Sequence, residues 1–289
     1  MDGFSPNITA VITGATSGIG FALTKHLVKT GVYVIGVGRS DQKNLLAKER
    51  ILAEIPKGAV DYLNADLAHP QSIRMLAKDV EKHLAGEGFS HLDILVNNAG
   101  VYLEHKKKTA DGIEKTFAVN YLAQFRLTYF LRSLLAKSHH GKMISVSSYA
   151  HFNTPMNLNR IADPRPYIGL LAYKRSKLCS VLFVRELRKK ALGFTAYAVD
   201  PGLVNTSIGS KSGPGISGLV WTLYRKNGMS PETSAKDLLH IITADDLHIS
   251  DGVYFKERKA IQPSKNALDN VLAERLWDLS CELTGLEWR

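Results

Sequence analysis

Short apolar runs rich in β-branched residues alternate along this chain with longer stretches of helical periodicity, and that alternation constrains the fold more than any other feature. The runs occupy residues 8–13, 32–37, 60–63, 92–96, 143–146 and 195–199. They are apolar on consecutive positions, so the strands they form need cover on both faces, as in a parallel sheet between helices. Helical periodicity fills the intervals, at residues 18–30, from 41 onward, and at 71–84, 112–137 and 166–192. No internal repeat, low-complexity stretch or linker divides the sequence. Residues 1–289 are therefore expected to form one α/β domain, a doubly wound parallel sheet of about seven strands with helices on both faces.

Composition narrows the function. The chain is 45% hydrophobic, enough for a substantial core. No window reaches the roughly 18 apolar residues of a membrane span. No charged-then-apolar leader opens the sequence, so integral membrane association is not expected. Cys179 and Cys281 have neither metal-ligand nor disulfide-framework spacing, which fits reduced thiols in a cytoplasmic protein. Lys and Arg outnumber Asp and Glu by 37 to 27. The longest basic run, Lys106-Lys107-Lys108, is short and lacks aromatic interleaving; it reads as a solvated loop, and no nucleic-acid partner is expected. His139-His140 has no further ligand at metal spacing, so no metal site is expected.

In a doubly wound sheet, ligands bind outside the carboxyl ends of the strands, where the strand order reverses. Gly14, Gly18 and Gly20 stand between the first strand and the first helix. Glycine there admits positive φ and lets the backbone approach a pyrophosphate, while the helix N-terminus supplies N–H donors. The second strand ends in Gly38-Arg39-Ser40, without the acidic residue that binds the ribose 2′-hydroxyl of NAD. Arg39 offers a planar donor fork suited to a 2′-phosphate. NADP is therefore expected over NAD, although Asp41 lies close by.

Tyr173 and Lys177 are four residues apart in a helical stretch and can point into one cleft. A free phenol, with a pKa near 10, is a poor acid–base group at neutral pH. The ammonium of Lys177, joined by the oxidised nicotinamide's positive charge, favours phenolate and is expected to lower the Tyr173 pKa. Tyr102 and Lys106 repeat the spacing, but in a charged loop without helical periodicity, which reads as coincidence.

These landmarks resemble the short-chain dehydrogenase/reductase family along almost the whole chain. Thr13–Gly20 is similar to its cofactor motif and Asn97-Asn-Ala-Gly100 to its strand-four motif. Asp66-Leu67, Asn120, Ser147-Ser148, Tyr173/Lys177 and Pro201-Gly202-Leu-Val-Asn-Thr206 follow in the family's order. The resemblance implies a Rossmann-type fold with NADP held by Gly14, Ser17, Gly18, Ile19, Gly20, Arg39, Asp66, Leu67, Asn97, Ala99, Tyr173, Lys177, Pro201, Gly202, Val204 and Thr206. It implies Asn120, Ser148, Tyr173 and Lys177 as the catalytic set, with Lys177 on the nicotinamide ribose and Asn120 holding a relay water behind it. Ser148 is chosen over Ser147 because neighbours on a strand face opposite ways and the family match falls on the second serine.

Closer similarity is to the retinol-dehydrogenase-like branch, carried by residues 108–114, 147–151, 172–178 and the tail from Gly252-Val-Tyr-Phe255 to Arg275-Leu-Trp-Asp-Leu-Ser-Cys281. The chain departs from that branch where Asn-His-Leu-Gly-His-Phe becomes Asn120-Tyr-Leu-Ala-Gln-Phe125, and in lacking the hydrophobic anchor that opens many vertebrate members. Both departures weigh against a membrane-delivered retinoid. The resemblance implies an oxidoreductase acting on a hydrophobic aldehyde, ketone or alcohol. A non-catalytic NADP sensor or scaffold and a C=C reductase are the alternatives. Residues 207–230, with Trp221 and Tyr224 among several glycines, suggest a substrate lid, and residues 250–289 a C-terminal extension. The resemblance implies a homodimer through the helices after strands four and five as one option and a monomer as the other.

Overall fold

A computed structural model describes residues 8–202, 204, 228–244 and 253–288. The chain runs β1 (Thr9–Thr13), α1 (Gly18–Lys29), β2 (Tyr33–Gly38), α2 (Asp41–Glu54), β3 (Val60–Asn64), α3 (Pro70–Gly86) and β4 (Ile94–Asn97). A short α4 (Lys115–Phe117), a π turn (Ala118–Leu122) and α5 (Ala123–Ala136) follow as one rod, then β5 (Lys142–Val146), α6 (Gly169–Lys189) and β6 (Thr195–Asp200). The rest comprises α7 (Pro231–Thr243), β7 (Tyr254–Lys256), β8 (Lys259–Ala260) and α8 (Asn270–Thr284).

The strands form one sheet in the order β3-β2-β1-β4-β5-β6-β7-β8. All pairings are parallel except β7 with β8. The sequence suggested about seven strands; the eighth is a two-residue antiparallel edge, too short to leave a periodic signal. The order reverses at β1, whose Ala10 pairs with Val34 on one side and Ile94 on the other. That reversal leaves a crevice above the carboxyl ends of β1 and β4.

Consecutive apolar residues in the strands serve two separate cores. Val11 packs with Ile73, Phe125 and Phe183 beneath α3, α5 and α6, whereas Ala10 and Ile12 pack with Leu23, Leu238 and Ile241 beneath α1 and α7. The C-terminal helix α8 lies on the α5–α6 side, where Trp277 meets Phe125 at 5.3 Å between ring centroids. Among the described residues no helix is long and apolar enough to cross a membrane.

Candidate active site

The cleft begins where β1 hands over to α1. Gly14 and Gly18 adopt positive φ, 69° and 56°. A Cβ at Gly20 would overlap the Gly14 carbonyl and come within 2.6 Å of Asn98 Nδ2, so only glycine closes this turn. Asn98 Nδ2 donates to the Thr13 carbonyl at 2.8 Å, and the Thr13 hydroxyl receives the N–H groups of Asn98 and Ala99, both at 3.0 Å. These bonds tie the end of β4 to the glycine turn. The resulting cleft, about 200 Å³, is lined by Gly14, Ser17, Gly18, Ile19, Arg39, Asp66, Leu67 and Ala99 from the sequence-expected set.

At the end of β2, Asn44 folds over the strand and donates to the Leu63 carbonyl at 3.1 Å. A Cβ at Gly38 would overlap Asn44 Oδ1 and lie 2.6 Å from Thr16 Cγ2, leaving no room for an acidic side chain there. Arg39 is exposed on the rim, while Asp41 accepts from Asn64 Nδ2 at 2.8 Å and lies outside the cleft lining.

The proton-transfer candidates meet above the carboxyl end of β5. Lys177 Nζ donates to the Val146 carbonyl at 2.8 Å and lies 5.7 Å from the Tyr173 ring centroid. Ser147 Oγ donates to the Lys177 carbonyl at 2.9 Å and is buried, a packing role. Ser148 lies just past the end of β5; it hydrogen-bonds Tyr173, and its Oγ accepts from Ala150 N at 3.2 Å. Asn120 sits in the π turn: its Oδ1 accepts from Val101 N at 2.7 Å, and its Nδ2 donates to the Val101 carbonyl at 2.9 Å and to Ser176 Oγ at 3.0 Å. Its side chain thus braces the helix irregularity.

Electrostatics differ from the sequence expectation in one respect. Burial pushes the Tyr173 phenol up to about 12, partly offset by the Ser148 hydrogen bond and reinforced by the Asp200 charge. Burial also brings the Lys177 ammonium down to about 8, against the pull of Asp200. In the protein alone, burial is the largest influence on Tyr173, and it acts against the lowering expected from Lys177 together with the nicotinamide's charge.

Several neighbours were not legible in the sequence. Asp200, 1% exposed at the end of β6, accepts the Gly202 N–H at 3.0 Å through Oδ1. Its Oδ2 and the Tyr254 hydroxyl are both sealed from water, and burial, the Asp200 charge and a hydrogen bond between the two side chains hold the Tyr254 phenol well above its ordinary value. His151 is fully buried; its Nε2 accepts the Ser264 N–H at 3.1 Å, so Nδ1 carries the proton and donates to the Ser148 carbonyl at 2.8 Å. Lys115 and Val101 join the cleft wall. Tyr102, set aside as coincidence, packs its ring edge on Tyr173 at 6.0 Å, while Lys106 turns away to the Pro164 carbonyl at 3.1 Å.

Asn97 stands apart from the other expected cofactor residues: buried beneath the cleft floor, its Nδ2 donates to Thr128 Oγ1 at 3.3 Å. Gly202, at φ 76°, and Pro201, whose carbonyl accepts from Ser234 Oγ at 2.7 Å, leave β6 toward Val204, which bridges Met229. Thr206, Trp221, Tyr224 and residues 207–227 of the suggested lid lie outside the described residues.

The short chain dehydrogenase family description matches residues 8–216. Retinol dehydrogenase 12 of Mus musculus is 37% identical over 285 residues, covering 98% of this chain and 88% of that protein. Polyprenol dehydrogenase of Homo sapiens is 31% identical over 295 residues, covering 97% and 86%. A crystal structure of an uncharacterised protein from Mycobacterium paratuberculosis matches with a TM-score of 0.76 at 28% identity, over 99% of this chain and 96% of that one. Sheet order, glycine turn and sequence similarity agree, and the chain belongs to the short-chain dehydrogenase/reductase family of oxidoreductases, in its retinol-dehydrogenase-like part.

Proposed function

We propose that this protein is an NADP-dependent oxidoreductase that interconverts a hydrophobic aldehyde or ketone, retinoid- or steroid-like in size, and its alcohol. The observation that carries the reading is the convergence of Ser148, Tyr173 and Lys177 at the end of β5, beside the glycine-lined cleft. The turn fits a dinucleotide because Gly14 and Gly18, both at positive φ, line the cleft where α1 begins and its N–H groups are free to meet a pyrophosphate. Gly14, Ser17, Gly18, Ile19 and Gly20 would hold the pyrophosphate, Asp66 and Leu67 the adenine end, and Lys177, Pro201, Gly202 and Val204 the nicotinamide half. When bound, the cofactor supplies or takes up the hydride.

The chain's own groups handle the proton. In reduction, the Tyr173 phenol protonates the substrate oxygen as negative charge develops on it. Ser148 donates a hydrogen bond to the same oxygen, a contribution on the order of 3 kcal/mol for one preorganised donor. The Lys177 cation stabilises the phenolate left on Tyr173, and oxidation reverses these roles. A hydrophobic substrate is supported by the apolar side chains of Ile168 and Leu170, 55% and 53% exposed within two turns of Tyr173. The printed names of the retinol and polyprenol dehydrogenases point to the same class.

Consumption of NADPH against a panel of aldehydes, ketones and retinoids tests the reading, and absence of turnover across the panel would contradict it. For the cofactor, Arg39→Glu is expected to raise the NADPH KM at least about tenfold, the size of one lost charge-assisted contact, while sparing NADH. An unchanged NADPH KM would remove Arg39 as the phosphate reader.

A further inference from the structure

One buried amide outside the main cleft joins every element that carries a catalytic candidate. Gln124 opens α5 at 6% exposure. Its Nε2 lies 2.5 Å from the Asn120 carbonyl oxygen and 2.8 Å from Ser180 Oγ, and its Oε1 accepts from Ser145 Oγ at 2.6 Å. A carbonyl oxygen only accepts, so the amide nitrogen must face Asn120, and the side chain has a single chemically consistent orientation. Ser180 Oγ donates to the Ser176 carbonyl at 3.2 Å, which leaves its lone pair for Gln124. Both amide protons and the amide oxygen are thus engaged where water does not reach.

The three partners are not equivalent scaffolding. Asn120 is itself a catalytic candidate in the π turn. Ser145 precedes Val146, whose carbonyl holds Lys177, and Ser148 follows on the same segment. Ser180 lies one turn beyond Lys177 on α6. A second arm closes the circuit, since Ser176 Oγ accepts from Asn120 Nδ2 at 3.0 Å and donates to the Tyr173 carbonyl at 2.7 Å. The geometry points to Gln124 as a positioning residue that fixes the π turn, β5 and α6 against one another and so sets the separation of Ser148, Tyr173 and Lys177. This rests on the hydride-transfer reading above. An apolar side chain of equal volume would fill the space but leave a carbonyl and two hydroxyls without their partner. Histidine in the same place retains one donor and one acceptor.

The test compares Gln124→Leu and Gln124→His with the wild-type full chain. NADPH oxidation is measured with all-trans-retinaldehyde and hexanal as probe carbonyls, and NADPH affinity by fluorescence. Deuterium exchange is followed in peptides spanning residues 118–125 and 173–181 without cofactor. Gln124→Leu is expected to keep its NADPH affinity, to lose about 10- to 100-fold in kcat, as ångström-scale misplacement does, and to exchange faster in both peptides. Gln124→His is expected to recover most of kcat. Unchanged kcat in a folded Gln124→Leu protein overturns the proposal, and so does a loss that histidine does not restore. If the wild type oxidises NADPH with neither probe, the functional reading fails and exchange decides: equal protection in Gln124→Leu and wild type overturns the positioning role, and faster exchange in both peptides supports it. Should Gln124→Leu not fold, Ser145→Ala, which removes only the donor to Oε1, carries the same expectations at smaller size.

Discussion

Lys177 and Asp200 place two ionisable side chains where water barely reaches, and their balance sets the response to pH. In the proposed reduction, Tyr173 must hold its proton and Lys177 its charge. The phenol, pushed up to about 12, stays protonated through the neutral range, whereas Lys177 loses its proton near 8. The kcat/KM for reduction should therefore hold through neutral pH and fall above about 8. Asp200 raises the Lys177 pKa, so Asp200→Asn should move that falling limb to lower pH. A limb that stays in place in the variant's pH–rate profile would show that Asp200 does not support the cation. The same burial costs stability. The drop from 10.5 to about 8 means that below 8 the folded chain carries an ammonium it holds less well than the unfolded chain does. That penalty is roughly 3 kcal/mol and is relieved only as pH rises from 8 toward the unfolded value. Lys177→Met should abolish turnover yet raise the unfolding midpoint of the cofactor-free protein at neutral pH. The net gain is about 1–2 kcal/mol after the unpaired Val146 carbonyl is counted. A lower midpoint would mean that the Nζ–carbonyl bond outweighs the desolvation.

Secondary-structure elements differ in how openly the sequence announces them. The strands that end at Thr13, Asn97 and Val146 were legible because consecutive apolar residues have no other use. The π turn within residues 112–137 was not, since one wider turn barely disturbs a helical period over more than twenty residues. Nor could spacing reveal His151, whose partner Ser264 lies 113 residues away in the C-terminal segment. That ring fills space between Phe152 and Tyr254, at 4.3 and 4.7 Å between centroids, while bonding the Ser148 carbonyl. His151→Ala should cost about 2–4 kcal/mol in chemical denaturation, from the cavity and the orphaned Ser264 N–H together. Burial lowers the His151 pKa, so the unfolded chain takes up the proton first on acidification. Stability should fall as pH drops below about 6.5, and the variant should lose part of that slope. A midpoint unmoved by the substitution would show that the C-terminal segment does not depend on this contact.

At the scale of the whole molecule, topology locates the site before any side chain is considered. The reversal of strand order at β1 opens the crevice, and the glycine turn, the bare end of β2 and the Tyr173–Lys177 pair each follow a strand into it. This much of the site was readable because each residue type has a local steric or chemical reason for its place. The supporting set of Asp200, Gln124, His151 and Tyr102 was not, because its meaning comes only from contacts between distant elements. The central claim is that Tyr173 completes a hydride transfer to a carbonyl carbon. Its most direct test follows deuterium from NADPH deuterated at C4 into the product of a hydrophobic aldehyde, with wild type and Tyr173→Phe side by side. The account predicts label at the carbinol carbon in the wild type and a loss of transfer of at least about a hundredfold in Tyr173→Phe, as expected for a positioned acid. Label on a former C=C carbon, or undiminished transfer in Tyr173→Phe, would contradict it.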